Sequence, residues 1–264
     1  MKSEDRVSSL TEDSWPVFDQ IADWFSSPLG KHVLSTEEAI LSQLLPRMFG
    51  YHLVQLSIQE RQLYQSSRIQ SKYSISVEKN GCAGIVAAPS SIPLASDSVD
   101  VILLHHLLEY TCSWKIVLRE ISRIIMPMGH VVIIGFNPIS IWGVWRTLAR
   151  FRGNAPWNGS FLWPGRLMDY LNLLEFKIDR AQYAIYGPPV ARWLGNVNDY
   201  SKGVSRRLNF PVGSVYIIVA QKQIGALRTV RPVWRSKQAF SHVTVARSVR
   251  SAGLKSIKTA EKRL

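Results

Sequence analysis

Two adjacent histidines and a glutamate stand directly after a buried-strand pattern. His105 and His106 follow the apolar run of residues 99–104, and Glu109 comes three residues later. Side chains at the end of a buried strand can serve as a general base or contact a substrate. The alternative is structural: one of the two rings points into the core and the other bonds a loop. We expect no metal site here, because no further ligand at helical spacing is evident.

A strand–helix–strand unit must position these residues. Residues 99–104 suit a strand that is covered on both faces. Ser113 can cap a helix whose apolar residues recur at spacings of three and four, and Pro127 and Gly129 end it. Residues 131–136 form a second apolar run. Strand, helix and strand joined by tight turns make a right-handed crossover.

The rest of the chain alternates between strand and helix patterns. Ser35 and Glu38 form a capping box, which predicts a helix that begins there. Further strands are expected at residues 51–57, 76–79, 84–88, from 176 onward, and at 215–220. This order predicts an α/β fold with a doubly wound, mostly parallel, seven-stranded sheet and an antiparallel last strand. Ligands of such sheets bind beyond the carboxyl ends of the strands.

Charge is spread unevenly along this chain of 264 residues, whose net charge is +13. Residues 226–264 hold ten Lys or Arg and one acid, which makes +9, and the other 22 basic and 18 acidic residues add +4. We expect a flexible N-terminus at residues 1–20 and one domain at 21–225. Residues 226–264 are expected to form a basic, disordered tail with weak affinity for nucleic acid or an anionic surface.

Cysteine usage and the apolar runs indicate the cellular setting. Cys82 and Cys112 have no metal-type spacing, so neither a disulfide framework nor a zinc site is expected from them. This usage is typical of a reducing, cytoplasmic compartment. The N-terminus shows no apolar signal region, and no run approaches the roughly 18 apolar residues that would span a bilayer.

Residues 92–138 resemble a known family. They contain Ile92-Pro93-Leu94 with Asp97, Ser98 and Val99-Asp100, then His106-Leu107-Leu108-Glu109, then Arg119-Glu120-Ile121 and Arg123 through Gly129. In order and spacing these segments resemble the LPF-x-D-x-S-F-D-x-V, H-x-L-E-H and REI-x-R-V-L-x-P-G-G motifs of class I S-adenosylmethionine-dependent methyltransferases of the type-11 group. The resemblance implies a Rossmann-like fold, S-adenosylmethionine as the methyl donor and a small or aromatic methyl acceptor.

The same resemblance implies a cofactor site, and this chain keeps one of its three signatures. The family's glycine-rich turn after the first strand corresponds to residues 55–61, which contain no glycine, and the first crossover helix is weakened by a short connection. Glu78 corresponds to the acid that holds the ribose hydroxyls, and Ala88 to the acid that meets the adenine. The implied cofactor contacts are Ser57, Ile58, Glu78, Ala88, Pro89 and His105. His106 and His105 are the candidate catalytic bases.

Three functions remain open at this point. The chain could be a working methyltransferase with a divergent cofactor site, a methyltransferase fold that acts as a binding or scaffolding module, or a domain for another ligand. An aromatic set follows the fifth strand, in the region that forms the substrate lid in the family. Its members are Trp142, Trp145, Trp157, Phe161 and Trp163, with Arg146, Arg150 and Arg152 nearby. These rings could pack on the sheet or bind a planar or anionic acceptor.

Overall fold

A computed structural model describes residues 15–58, 61–76, 85–86, 88–111, 113–149, 155–187 and 211–224. The helices are α1 (Trp15–Ser26), α2 (Pro28–Leu44), α3 (Trp114–Ile124), α4 (Ile141–Ala149) and α5 (Pro164–Leu173), and a 3-10 helix (Leu45–Arg47) follows α2. The strands are β1 (His52–Ser57), β2 (Ser71–Ser76), β3 (Ile85–Val86), β4 (Val99–His105), β5 (Ile125–Phe136), β6 (Phe176–Ala184) and β7 (Val215–Lys222). No described helix is long and apolar enough to cross a membrane. The predictions for Glu78, Arg150, Arg152 and residues 226–264 lie outside the described residues.

All seven strands belong to one sheet, in the order β3-β2-β1-β4-β5-β7-β6. Strands β1 to β5 pair in parallel, whereas β7 runs antiparallel to both of its neighbours, β5 and β6. The predicted α/β class, with a mostly parallel sheet and an antiparallel last strand, is therefore confirmed. Successive connections lead from β1 toward β3 on one side and from β4 toward β5 on the other. The strand order consequently reverses between β1 and β4, which is where open sheets bind ligands.

The central crossover forms as the apolar pattern predicts, apart from one boundary. Four of its helix residues, Val117, Leu118, Ile121 and Ile124, are buried against the sheet. The chain changes from α3 to β5 at Ile125, six residues earlier than the predicted strand. Pairing between Val99 and Ile125 extends β5 in this direction. The backbone N–H of Asp97 and that of Ser98 also donate to the last carbonyls of α3, at 2.9 and 2.8 Å.

The N-terminal helices differ from the prediction in where they begin. Residues 15–20, which we expected to be flexible, are helical. The capping box is wrong as well, because Ser27 caps α2: its Oγ accepts from the Gly30 N–H at 3.1 Å, and Pro28 occupies the first turn. Ser35 instead lies inside the helix and donates to the His32 carbonyl at 2.8 Å. A Cβ on Gly30 would lie 2.3 Å from the Trp24 carbonyl oxygen, so glycine permits the close approach of α1 and α2.

The connection from β1 to β2 also departs from the prediction. Strand β2 occupies Ser71–Ser76 rather than residues 76–79, because it pairs residue by residue with His52–Ser57 of β1. Its sequence, SKYSIS, is mostly polar and gives no clear strand pattern. The strand is defined by its pairing with β1. The described part of the connection, residues 61–70, contains a turn and no helix. The first crossover helix, which the short connection weakens, does not form in those residues.

Candidate functional site

Three polar residues end neighbouring strands at one level of the sheet. Ser57 of β1 pairs with Ser76 of β2 on one side and with His105 of β4 on the other. Residues in register on parallel strands point to the same face of a sheet. All three are buried. They form a polar row at the carboxyl edge, next to the point where the strand order reverses, as expected for a ligand site.

A side chain, and not a glycine turn, organises the chain after β1. The Gln55 amide accepts from the Leu63 N–H at 2.9 Å and donates to the Arg61 carbonyl at 2.8 Å. Gln55, Ser57 and Ile58 are all buried. The amide therefore supplies hydrogen bonds that hold the described part of this connection against the strand, and none of residues 61–70 has the positive φ that favours glycine.

Both histidines contact one glutamate from α2. The Nε2 atom of His105 lies 2.9 Å from Glu37 Oε2, and that of His106 lies 2.8 Å from Glu37 Oε1. Consecutive strand residues normally point to opposite faces. His106 has a φ of 47°, a left-handed conformation that is uncommon outside glycine. This turn brings the second ring to the same side as the first, so that one carboxylate bridges the pair.

A second glutamate completes the cluster from the other side. Glu109 Oε2 lies 3.2 Å from His106 Nδ1, and Glu109 Oε1 accepts from the Phe136 N–H at the end of β5. A Cβ on Gly135 would meet this carboxylate at 2.9 Å and the Tyr216 hydroxyl at 2.5 Å. Glycine at position 135 thus makes room for Glu109, which links the end of β4 to the end of β5.

Aromatic rings close the cluster off from water. The Phe25 ring of α1 lies 5.3 Å from the His105 ring and 5.4 Å from the His106 ring, measured between centroids. Phe136 packs on His106 from the other direction, at 4.1 Å. As a result, Glu37, His105 and His106 have no exposed surface (0%).

Burial and mutual charge set the protonation of the cluster. Burial opposes ionisation of Glu37, but the charges and hydrogen bonds of His106 and His105 prevail and lower its pKa to about 2. Burial likewise opposes protonation of His106, yet Glu109 and Glu37 together raise its pKa to about 10. For His105 burial prevails, and its pKa falls despite Glu37. At neutral pH the cluster therefore contains an ionised Glu37 carboxylate, a His106 imidazolium and a neutral His105.

His105 keeps one nitrogen unsatisfied. Its Nε2 faces Glu37, whereas its Nδ1 is buried and has no hydrogen-bond partner among the described residues. Buried polar atoms are nearly always paired, so each exception calls for an explanation. A polar group of a bound ligand at the β1–β4 edge would supply the missing partner.

The structure brings together some of the residues predicted from the sequence and separates others. Ser57, Ile58 and His105 lie at the same edge. Pro89 is buried and Ala88 half-buried in the chain that follows β3. His106 has both nitrogens engaged by carboxylates, an arrangement that disfavours its predicted role as a base.

Glu37 is the residue that sequence reasoning missed. The capping-box interpretation drew attention to its neighbour Glu38, which is partly exposed and pairs with Arg61 at 2.8 Å. Glu37 follows Leu34 by three residues and precedes Leu41 by four, so it lies on the buried stripe of α2. A charge on an apolar helical stripe was the available signal.

The aromatic set after β5 divides into a packed part and an exposed part. Trp142 is fully buried, stacks on Phe136 with 5.9 Å between centroids, and donates from its indole nitrogen to the Gly187 carbonyl at 2.9 Å. Phe161 is 8% exposed and carries the Arg146 guanidinium 4.9 Å from its centroid. Trp145 and Trp163 remain 42% and 56% exposed. Trp157 is half-buried, with its ring centroid 5.9 Å from that of Trp142.

Known proteins resemble this chain in sequence and in structure. Residues 37–133 match the family model described as a methyltransferase domain. YafS, an uncharacterized protein of Escherichia coli K12, is 29% identical over 218 residues, which cover 81% of this chain and 85% of YafS. An S-adenosylmethionine-dependent methyltransferase from Thermotoga maritima has a TM-score of 0.60 at 15% identity, covering 80% of this chain and 100% of that one. Another from Mesorhizobium loti has a TM-score of 0.50 at 15% identity, covering 70% and 97%.

The two kinds of similarity carry different conclusions. At these identities the solved structures show the shared fold. The family match spans Glu37, β1, β4 and most of β5, and it confirms the resemblance drawn from the motifs. The cofactor of that family is S-adenosylmethionine. The polar row ends at the point of strand-order reversal, where open sheets bind ligands, and the unpaired His105 nitrogen is a buried polar atom that a polar group of such a cofactor could bond.

Proposed function

We propose that this chain, whose residues 37–133 match a methyltransferase domain, is a class I S-adenosylmethionine-dependent methyltransferase of the type-11 group and methylates a small or aromatic acceptor. The observation that carries the proposal is the polar row of Ser76, Ser57 and His105 at the point where the strand order reverses. When bound, the cofactor supplies an electrophilic methyl group on sulfur. The protein's part is to align the acceptor with that methyl group and to exclude water.

The proposed cofactor contacts follow the carboxyl edge of the sheet. Ser57 and Ile58 replace the glycine turn after β1, and Glu78, two residues beyond the end of β2, binds the ribose hydroxyls. Ala88 and Pro89 border the adenine, and His105 meets the methionine end through its unpaired Nδ1. This assignment gives the buried nitrogen a partner, which the described residues do not supply.

The histidines are proposed to have different tasks. His106 donates through both ring nitrogens to Glu37 and Glu109, so it holds the end of β4 in place and does not accept a proton. His105 is neutral and keeps a free nitrogen, so it is the histidine suited to a direct contact. Orientation therefore contributes more to this reaction than general-base catalysis.

Exposed aromatic rings support a small or aromatic acceptor. Trp145 and Trp163 lie on and just before helices that follow β5 and remain partly exposed. Rings of this kind stack on planar molecules and attract cations over their faces. Replacing Trp145 or Trp163 by alanine should weaken acceptor binding and leave cofactor affinity unchanged.

Calorimetric titration of the full chain with S-adenosylmethionine and S-adenosylhomocysteine tests the cofactor assignment. We expect binding of both, weakened in Glu78→Ala and unchanged in Glu38→Gln, which alters an exposed pair on α2. Unchanged affinity in Glu78→Ala would refute the ribose assignment. Absence of heat and of any thermal shift at millimolar ligand would overturn the proposal and favour a binding module without a cofactor.

The acceptor class is tested with a radiolabelled methyl donor. Label from tritiated S-adenosylmethionine, carried on the methyl group, should appear in the small-molecule fraction of a cell extract that is incubated with the protein. Label recovered only in protein or nucleic acid would contradict a small acceptor. Trp145→Ala and Trp163→Ala serve as the matched variants, and each should reduce transfer to the small-molecule fraction.

A further inference from the structure

We propose that Glu37, His105 and His106 form a buried site for a divalent transition-metal cation such as Zn²⁺, with Glu109 as its supporting carboxylate. The site goes beyond methyl transfer and does not depend on it. Its three ligands come from the N-terminal helix pair and from the end of β4. A cation there would tie α2 to the sheet beside the cofactor edge.

The donor atoms converge on one point. One atom from each of the three side chains lies within 4.8 Å of the other two. The two Nε2 atoms stand 2.9 and 2.8 Å from the two carboxylate oxygens. Zinc binds nitrogen and oxygen at about 2.1 Å, which separates neighbouring donors by about 3.0–3.4 Å depending on geometry. Small side-chain movements therefore convert the hydrogen-bonded cluster into a coordination shell.

The backbone is bent in a way that creates this convergence. Without the left-handed conformation at His106, two consecutive residues at a strand end would direct their rings to opposite faces. Such conformations cost free energy in non-glycine residues and cluster at functional sites. Here its result is that two imidazoles share one partner.

Glu109 provides the support that a metal-binding histidine usually has. Its carboxylate contacts His106 Nδ1 at 3.2 Å and is itself held by the Phe136 N–H. A hydrogen on Nδ1 leaves the Nε2 lone pair of His106 directed toward Glu37 and the cation. Metal-bound histidines typically donate their second N–H to a carboxylate in this manner.

A divalent cation can take the place of the hydrogen that lies between His106 Nε2 and Glu37 Oε1 in the metal-free cluster. The neutral imidazole and the Glu37 carboxylate would then coordinate the cation in a region without solvent access. Imidazole and carboxylate together suit zinc, cobalt, iron and nickel better than magnesium or calcium.

Metal content of the full-length chain is the direct test. Protein expressed with added Zn²⁺ and purified without chelator should retain stoichiometric zinc, and E38Q should match it. E37Q should lose most of the zinc, and E109Q should bind it roughly 10–100-fold more weakly. Equal zinc in wild type and E37Q would overturn the site, because the metal would then reside elsewhere. The site would also be overturned if wild-type protein that is refolded in the presence of Zn²⁺ contained no zinc.

A second measurement needs no variant and therefore does not depend on how E37Q folds. Wild-type protein loaded with Co²⁺ should show visible d–d absorption typical of nitrogen and oxygen ligands. In ¹⁵N spectra of the zinc-loaded protein, both histidines should carry hydrogen on Nδ1 alone. A proton on Nε2 of either ring would overturn the site, because that nitrogen would then bond Glu37 and not a metal. Titration of the same samples with S-adenosylmethionine tests the proposed cofactor site separately.

Discussion

The two halves of the carboxyl edge are built in different ways. At the ends of β4 and β5, buried charged groups and a glycine fit one another closely: Glu109 bonds His106 and the backbone of Phe136, and Gly135 makes room for it. At the end of β1, one neutral amide, that of Gln55, holds the following connection. The first half positions rings and charges, whereas the second only closes a loop.

This difference indicates which half of the carboxyl edge tolerates replacement of the residues found in the family motifs. The motifs that resemble the methyltransferase family lie in the β4–β5 half, where His106 and Glu109 each bond two partners. The glycine turn is absent from the β1 half, where a single side chain can replace it. A cofactor at this edge would therefore contact the closely packed ends of β4 and β5 on one side. On the other side it would contact the connection after β1, which the Gln55 amide holds in place of a glycine turn.

Removal of Glu109 should have the largest effect on stability. Glu109→Ala leaves the His106 imidazolium with one carboxylate and the buried Phe136 N–H with none. Breaking a buried charged network of this kind costs about 3–5 kcal/mol. Urea denaturation of the metal-free protein measures the loss. A change in the free energy of unfolding below about 1 kcal/mol would mean that the Glu109 contacts contribute no more than an exposed ion pair does.

Adding a methyl group at Gly135 should reduce the free energy of unfolding somewhat less than removing Glu109. In Gly135→Ala the new Cβ would approach the Tyr216 hydroxyl and the Glu109 carboxylate to 2.5 and 2.9 Å, so both must shift. Overpacking of a buried site costs about 1–3 kcal/mol, and we expect the upper part of that range. Thermal unfolding checks it, and Gly135→Ala combined with Tyr216→Phe should recover part of the loss.

The β1 half should respond less strongly. Gln55→Ala leaves the buried Leu63 N–H without its acceptor, which costs about 1–3 kcal/mol. If this substitution proved as damaging as Glu109→Ala in the same urea assay, the contrast between the halves would fail. Gln55→Glu is the informative companion, since it keeps the acceptor for Leu63 and removes the donor for Arg61.

The smallest effect on stability is expected for a substitution at the exposed surface of the β1 half. Arg61 and Glu38 form an exposed ion pair, with Arg61 54% and Glu38 31% exposed. Arg61→Ala should therefore cost about 1 kcal/mol or less, and the difference should shrink further in high salt. A larger loss that is independent of salt would show that the pair anchors α2 to the connection after β1.

The same contrast explains what could be predicted from the sequence. The β4–α3–β5 unit was predictable because continuous apolar runs and a three-four spacing are local signals. Strand β2 was placed too late because its polar residues are ordered by pairing with β1. Glu37 was overlooked because its partners are 68 and 69 residues away. The left-handed turn at His106 could not be located from the sequence, since only a few per cent of non-glycine residues adopt this conformation.

The ring of Phe25 has a consequence for where this domain can be cut. The family match begins at Glu37, so a fragment designed from it would keep the bridging carboxylate and discard α1 and the start of α2. That fragment would lose the aromatic cover over both imidazoles and the cap at Ser27. Water would enter the cluster, and its charges would be screened. A fragment that keeps the cluster covered must therefore begin upstream of the matched region and include α1.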